Sequence, residues 1–332
     1  MRTAVRILTT LRESSAGQWT VVLGSSGFAT VLAFLAARHF ATSPWPLSRG
    51  QPGVLVAAGL LLLLAQALKA YGWARLFAPG ERPKPLALAA GNGCAAVTGL
   101  VLPGRFDDAV RVAVVRRYPG CPSGVRPICL SLVMLGLIDC VALAPFALAA
   151  GVSSSVEISL RVGLAVVTAA GVAAAVLVLA LPRLAATQRF LRYRIGRWLS
   201  PRTTPRREAA EAWALVSACW LIRAVALVLL LGTLGVGFSV PLALLFLSAG
   251  AASAALPIGP AGAATQVGAG AAILIASGVG ASQALAVAVA VAALGVLSGA
   301  VVLLLAVAWS LGPSLVPTRP AGGRRRLLAL NN

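Results

Sequence analysis

Six long apolar segments restrict this chain to the class of polytopic α-helical membrane proteins. A helix needs about 20 mainly apolar residues to cross a bilayer. Of the 332 residues, 59% are hydrophobic and 11% are charged, and the mean hydropathy is +0.92. This composition excludes an ordinary soluble globular domain. The predicted spans are residues 19–37, 54–68, 128–150, 158–181, 212–235 and 284–309.

Two further apolar segments, residues 86–117 and 241–277, are interrupted by proline and glycine. Proline removes a helix hydrogen bond and glycine frees the backbone, so a helix that enters such a segment should stop and turn. A broken helix at membrane depth is tolerated only where it faces protein or water. We therefore expect two re-entrant helical hairpins. Their breaks are formed by Pro103 and Gly104 in the first hairpin and by Pro257, Gly259, Pro260 and Gly262 in the second.

The arginines and lysines set the expected orientation, because cytoplasmic loops carry an excess of them. The formal net charge is +20, and basic residues are concentrated in 182–211 and in the tail, 310–332. We predict a multi-pass protein of the cytoplasmic membrane with both termini in the cytoplasm. The same rule explains the basic composition without a nucleic-acid partner.

Spans and hairpins occur twice in the same order, which predicts an all-α fold built as an inverted-topology repeat. In this interpretation the whole chain, 1–332, forms one transmembrane domain. Repeat one covers about 18–150 and starts inside, whereas repeat two covers about 158–309 and starts outside. The two hairpins then open from opposite sides, and their breaks meet near the bilayer midplane.

Charged residues at the first break form a candidate site. Arg105, Asp107, Asp108 and Arg111 lie in one short stretch of an otherwise apolar region. A guanidinium binds phosphate bidentately, and a half-helix that starts after the break points its backbone N–H groups towards it. The arginines therefore bind an anionic head group, or they pair with the two aspartates and only stabilise the hairpin, as intramembrane charges commonly do.

Asp139 lies in the middle of the third predicted span. A lone carboxylate at that depth costs roughly 2.5–3.5 kcal/mol on insertion scales, so we expect it to have a partner. Arg223 in the fifth span is the first candidate, and Arg111 is the second. The pair is interpreted as structural, with a coupling proton or a head-group contact as the alternative. Thr265 and Gln266, after the second break, can hydrogen-bond either a head group or a neighbouring helix.

Histidine and cysteine are too sparse to indicate a metal or redox site. The chain has one histidine and five cysteines. A His-based metal centre or a Ser-His-Asp triad is hard to build from a single histidine, and the sequence has no P-loop for ATP. We expect no cofactor, no metal and no enzyme activity.

The first break resembles that of the lysylphosphatidylglycerol synthase/flippase transmembrane-domain family. The family's break reads approximately Pro-Gly-Arg-x-Gly-Glu-x-x-Arg, and here Pro103 to Arg111 reads PGRFDDAVR. Asp139 matches the last position of the family's Glu-Arg-x-x-Asp pattern, although the first two positions differ. The second break is similar to the family's Pro-Gly-Gly form, with Thr265 and Gln266 where many members place a glutamate.

The resemblance implies translocation of an anionic or amphiphilic lipid across the cytoplasmic membrane, with the head group held at the two breaks. The resemblance does not imply aminoacyl transfer. That activity belongs to a separate soluble domain, which we do not expect after residue 309. The implied partners are membrane lipids with anionic head groups, and a second copy of the chain or a lipid-synthesis enzyme are further candidates.

Two alternatives stay open beside the flippase. The first is a membrane enzyme or glycosyltransfer subunit that acts on a lipid-linked substrate, with Asp107 or Asp108 as its catalytic carboxylate. The second is a non-transporting accessory subunit of a lipid synthase.

Overall fold

The computed structural model describes residues 46–99, 106–152, 158–187, 192–255 and 262–315, and the regular elements within these ranges are all helices. Short 3-10 helices cover Pro46–Arg49, Pro79–Glu81 and Ser200–Arg202. The α-helices of these ranges are α1 (Pro52–Ala74), α2 (Pro85–Thr98), α3 (Phe106–Arg117), α4 (Val125–Val152), α5 (Ile158–Ala185), α6 (Arg194–Leu199), α7 (Arg206–Thr233), α8 (Val240–Ala255), α9 (Gly262–Ala276) and α10 (Ala281–Leu315).

Five helices of the described ranges, α1, α4, α5, α7 and α10, are long and apolar enough to cross a membrane. They confirm the second to sixth predicted spans, and the first predicted span, 19–37, lies outside the described residues. Most of these helices extend beyond the apolar run that predicted them. In α1 the apolar run ends at Leu68 while the helix continues to Ala74, so that Lys69 is part of the helix rather than of a loop.

Each interrupted segment forms a pair of short helices that pack against each other, α2 with α3 and α8 with α9. The four helices have 14, 12, 16 and 15 residues, which is less than the roughly 20 residues of a full span. A Cβ atom on Gly91 of α2 would lie 2.9 Å from Val115 Cγ2 of α3, so these two helices approach closely. Their re-entrant course stays a prediction.

The breaks themselves fall mostly outside the described residues. This applies to Pro103, Gly104 and Arg105 in the first segment and to Pro257, Gly259 and Pro260 in the second. Gly262 is the first residue of α9.

The most extensive helix contact joins α1 and α7, which run antiparallel. At one end the Gln51 N–H donates to Thr233 Oγ1 (2.8 Å), and at the other end Thr204 Oγ1 donates to Leu76 O (3.4 Å). Two pairs of the other contacts match each other across the two halves of the chain. Helix α2 packs against α10 as α8 packs against α4, and α4 contacts α7 as α10 contacts α1.

The main hydrophobic cluster lies where α1, α2, α4 and α7 meet. Its members include Trp73, Leu88, Leu135 and Trp220, which are all buried. We call this cluster the central core. Trp220 belongs both to this core and to the group of polar side chains described in the next subsection.

Ion pairs tie the residues after α1 to those around the start of α7. Arg202 pairs with Glu81 (2.7 Å), and Arg82 pairs with Glu208 (3.0 Å). Such partly exposed pairs are each worth about 0–1 kcal/mol, so their main effect is to keep these helix ends in register. Together with the α1–α7 contact they hold two of the three helices that carry the candidate site.

Candidate functional site

Three spanning helices place a polar cluster beside the central core. Lys69 of α1 and Asp139 of α4 form an ion pair of 2.8 Å between Nζ and Oδ2, and their side chains are 13% and 20% exposed. Trp220 of α7 donates its indole N–H to the other carboxylate oxygen, Oδ1, at 3.0 Å. Both oxygens of Asp139 are therefore engaged, one by a cation and one by a neutral donor. We call Lys69, Asp139, Trp220 and Arg223 the polar cluster.

Helical spacing explains why α1 and α4 meet in this register. Trp73 lies four residues after Lys69 and so occupies the same face of α1. Its indole N–H donates to Ser131 Oγ of α4 at 2.9 Å, and the Ser131 hydroxyl donates to Ile128 O. Two polar bridges therefore fix α4 against α1, and this contact positions the Asp139 carboxylate.

Arg223 lies one helical turn beyond Trp220 on α7 and is half-buried. Its guanidinium carbon is 5.2 Å from the centroid of the Trp220 ring, and Lys69 Nζ is 5.9 Å from the same ring. The indole thus has two cations nearby, each at a distance typical of a cation–π contact.

Arg223 has no carboxylate partner among the described residues. Each described acidic side chain forms its ion pairs with another cation: Glu81 with Arg202, Asp107 and Asp108 with Arg111, Asp139 with Lys69, Glu208 with Arg82, and Glu211 with Arg75 and Arg207. A cation within a spanning helix normally pairs or lines a functional path. Arg223 is therefore the described charge that most requires an external counter-charge.

The predicted partners of Asp139 are wrong. The structure pairs Asp139 with Lys69, whereas Arg223 reaches it only through the shared Trp220 ring and Arg111 pairs with its own helix. The physical reason is that α1 continues past its apolar run, which carries Lys69 into the helix and towards α4. Sequence reasoning also missed Trp220, although an indole spaced three residues before an arginine on one helix was a usable signal.

At the first break, Arg111 is neutralised by residues of its own helix. Its guanidinium lies 3.4 Å from Asp107 Oδ2 and 3.0 Å from Asp108 Oδ1, one turn away in each case. Both aspartates occupy the first turn of α3, where carboxylates interact favourably with the helix dipole. The N-terminal end of α3 therefore already has two carboxylates of its own helix beside it. Arg105 lies outside the described residues.

Little of the second break lies within the described residues. Gln266 is exposed on α9, and the side chain of Thr265 lies outside the described part of the chain. Gln266 takes no part in the contacts described for the polar cluster. Within the described ranges, no group of three or more His, Cys, Asp or Glu side chains is arranged to hold a metal ion.

Comparison with known protein families gives one match over most of the chain. A family model described as "Lysylphosphatidylglycerol synthase TM region" matches residues 18–306. The match includes the polar cluster, both interrupted segments and the spans of the structure, the last of them up to residue 306. No curated protein and no solved structure matches the chain.

Proposed function

Because the chain belongs to the lysylphosphatidylglycerol synthase TM region family, a membrane family of lipid synthases and flippases, we propose that it translocates an anionic or amphiphilic lipid across the cytoplasmic membrane. In this proposal the lipid head group is bound in the polar cluster, between the two interrupted segments. The chain itself carries out no bond-forming chemistry and needs no cofactor.

The observation that carries the proposal is that Arg223 has no acidic partner among the described residues. An arginine in the middle of a spanning helix costs about 2.5–3.5 kcal/mol on insertion scales. A phosphate group would supply the counter-charge, and a guanidinium binds it bidentately through two parallel hydrogen bonds. The Trp220 ring holds the guanidinium from one side, which leaves its N–H groups available for an anion.

The Lys69–Asp139 pair has a positioning role in this mechanism. Asp139 accepts a hydrogen bond from Trp220, so the carboxylate fixes the indole on which Arg223 lies. Lys69 neutralises Asp139 and thereby prevents the carboxylate from repelling an anionic head group. The pair thus orients the site without contacting the phosphate.

The matched helix contacts support the proposed inverted repeat. The contact of α2 with α10 corresponds to that of α8 with α4, and α1 corresponds to α7. With the undescribed segment 19–37 as the first span, the chain would have six full spans and two re-entrant hairpins. Both termini would lie in the cytoplasm.

The proposal is tested with the full-length protein in vesicles that contain fluorescent phosphatidylglycerol. We expect Arg223→Met to lower its translocation about tenfold or more, since a charged hydrogen bond is worth about 1.5–3 kcal/mol. Thermal stability should stay equal or rise, because an unpaired cation is removed. Arg183→Met is the matched control, since Arg183 is exposed in the last turn of α5.

Two results would argue against a phosphate at Arg223. A stable Arg223→Met protein with wild-type translocation would remove Arg223 from the site. Equal loss for phosphatidylglycerol and for zwitterionic phosphatidylcholine would show that the head-group charge is not recognised.

A non-transporting subunit that binds a lipid-synthesis enzyme is the second candidate function. It is favoured by the first interrupted segment, where Arg111 is paired internally with Asp107 and Asp108. The same pairing leaves neither aspartate free for the catalytic role considered above. Wild-type protein that moves no lipid in vesicles but co-purifies with such an enzyme would support this candidate.

A further inference from the structure

Two buried polar side chains occupy matching positions in the two interrupted segments. Residues 85–92 read PLALAAGN, and residues 241–248 read PLALLFLS. Both octapeptides start with Pro-Leu-Ala-Leu and end with a polar residue, Asn92 in α2 and Ser248 in α8. The two halves of the chain thus place one neutral polar side chain at the same depth of each hairpin.

Both side chains lack hydrogen-bond partners among the described residues. Asn92 is 5% exposed, and neither its Nδ2 nor its Oδ1 atom has a partner. Ser248 is 0% exposed, and its Oγ atom has none either. Buried polar groups in native proteins are nearly always paired, so each exception requires an explanation.

Other serines of the apolar helices show that the fold can satisfy a hydroxyl. Ser298 of α10 donates to Gly295 O at 2.7 Å, and Ser277, directly after α9, donates to Ile273 O at 2.8 Å. A helical serine commonly forms such a bond to the preceding turn. Ser248 does not, so its hydroxyl stays available within the protein interior.

Both positions border the central core. Leu88 lies four residues before Asn92, on the same face of α2, and belongs to the central core together with Trp220. Leu247 and Ala251, which flank Ser248 on α8, pack against the same core. Each hairpin therefore brings one polar group without a described partner to the border of the central core, which also contains Trp220, the neighbour of Arg223.

We propose that Asn92 and Ser248 bind the uncharged part of the lipid head group, each when its own hairpin opens towards its side of the membrane. This inference rests on the proposed function and extends it from the phosphate to the rest of the head group. An amide offers a donor and an acceptor, and a hydroxyl offers both as well. Glycerol hydroxyls and ester oxygens have the same neutral character, whereas Arg223 takes the charge.

The first test replaces both groups with apolar side chains of similar size. We expect Asn92→Leu and Ser248→Ala each to lower phosphatidylglycerol translocation about fivefold, the effect of one neutral hydrogen bond. Thermal stability should stay equal or rise, because an unpaired buried group is removed. The matched control is Ser298→Ala, which removes a buried hydroxyl that already has a partner and should leave translocation unchanged.

The same variants can overturn the inference in two ways. A loss of stability larger than that of Ser298→Ala would show that Asn92 or Ser248 is satisfied structurally, for example by a buried water molecule. Stable variants with wild-type translocation would show that the side chains do not bind the head group.

A second experiment separates this inference from the proposed function. Asn92→Cys and Ser248→Cys are made in a chain whose five natural cysteines are replaced, and the protein is treated with a small membrane-impermeant thiol reagent. We expect Cys at 92 to react from the cytoplasmic side and Cys at 248 from the outer side. Bilayers of phosphatidylglycerol should protect both, relative to phosphatidylcholine.

The results of this experiment test the binding site and translocation separately. Protection by phosphatidylglycerol in a protein that moves no lipid would contradict translocation and leave the binding site standing. Translocation without labelling or protection of either cysteine would contradict the binding site alone.

Discussion

Lys69 and Arg223 lie on corresponding helices of the two halves of the chain, α1 and α7, but have different electrostatic surroundings. Lys69 is flanked by Leu68 and Ala70 in α1, and Arg223 by Ile222 and Ala224 in α7. Both cations lie beside the Trp220 ring, at 5.9 and 5.2 Å. Lys69 is neutralised by Asp139, whereas Arg223 has no acidic partner among the described residues.

The difference originates in the helix that follows each hairpin. Helix α4 carries Asp139, but the corresponding helix of the second half, α10, contains no aspartate or glutamate. Lys69 is therefore neutralised by an acidic residue of its own half of the chain, whereas Arg223 has no acidic partner among the described residues. The corresponding helices thus differ in charge, and we infer that Arg223 binds the head group and that the Lys69–Asp139 pair supports it.

The largest expected effect comes from removing Lys69, the cation that is paired with Asp139. Lys69→Met leaves Asp139 with its hydrogen bond to Trp220 but without a counter-charge. Breaking a buried ion pair costs about 3–5 kcal/mol, and we expect about 2–3 kcal/mol here because both side chains are partly exposed. Equilibrium unfolding in mixed detergent micelles measures the change.

The double variant provides the control for this prediction. Adding Asp139→Asn to Lys69→Met should restore most of the lost stability, because neither charge is then left unpaired. If the stability losses of the two single variants simply add, Lys69 and Asp139 do not stabilise each other. The contrast between a paired Lys69 and Arg223 is then wrong.

The spans were predictable from the sequence because they depend on local properties. Length and hydropathy predicted α4 and α7, and proline and glycine predicted where the short helices of each interrupted segment end. The partner of Asp139 depends on which face of α1 meets α4, and this is a property of tertiary packing. The lack of partners at Asn92 and Ser248 is equally non-local, since it depends on every helix around each side chain.

A smaller effect is expected when the link between the two cations is weakened. Trp220→Phe keeps an aromatic ring beside Lys69 and Arg223 but removes the N–H that bonds Asp139. Hydrogen bonds to charged groups are worth about 1.5–3 kcal/mol, and we expect a loss near the lower value because Asp139 retains Lys69. Translocation should change less than with Trp220→Leu, which removes the ring as well. Equal translocation in the two variants would show that the indole does not position Arg223.

The smallest effect is expected at Arg111, which the sequence marks as a binding residue and the structure shows to be paired like Lys69. Its partners Asp107 and Asp108 lie on the same helix, and such partly exposed pairs are each worth about 0.3–0.5 kcal/mol. Arg111→Ala should therefore cost less than about 1 kcal/mol of stability.

Replacing Asp107 and Asp108 by asparagine as well should not recover that loss, because both carboxylates interact favourably with the helix dipole, and phosphatidylglycerol translocation should stay near the wild-type rate throughout. The matched comparison is Arg223→Met in the same vesicles. If Arg111→Ala lowers translocation as strongly as Arg223→Met while the protein stays equally stable, the head group binds at the first break. Arg111, not Arg223, is then the cation that binds it.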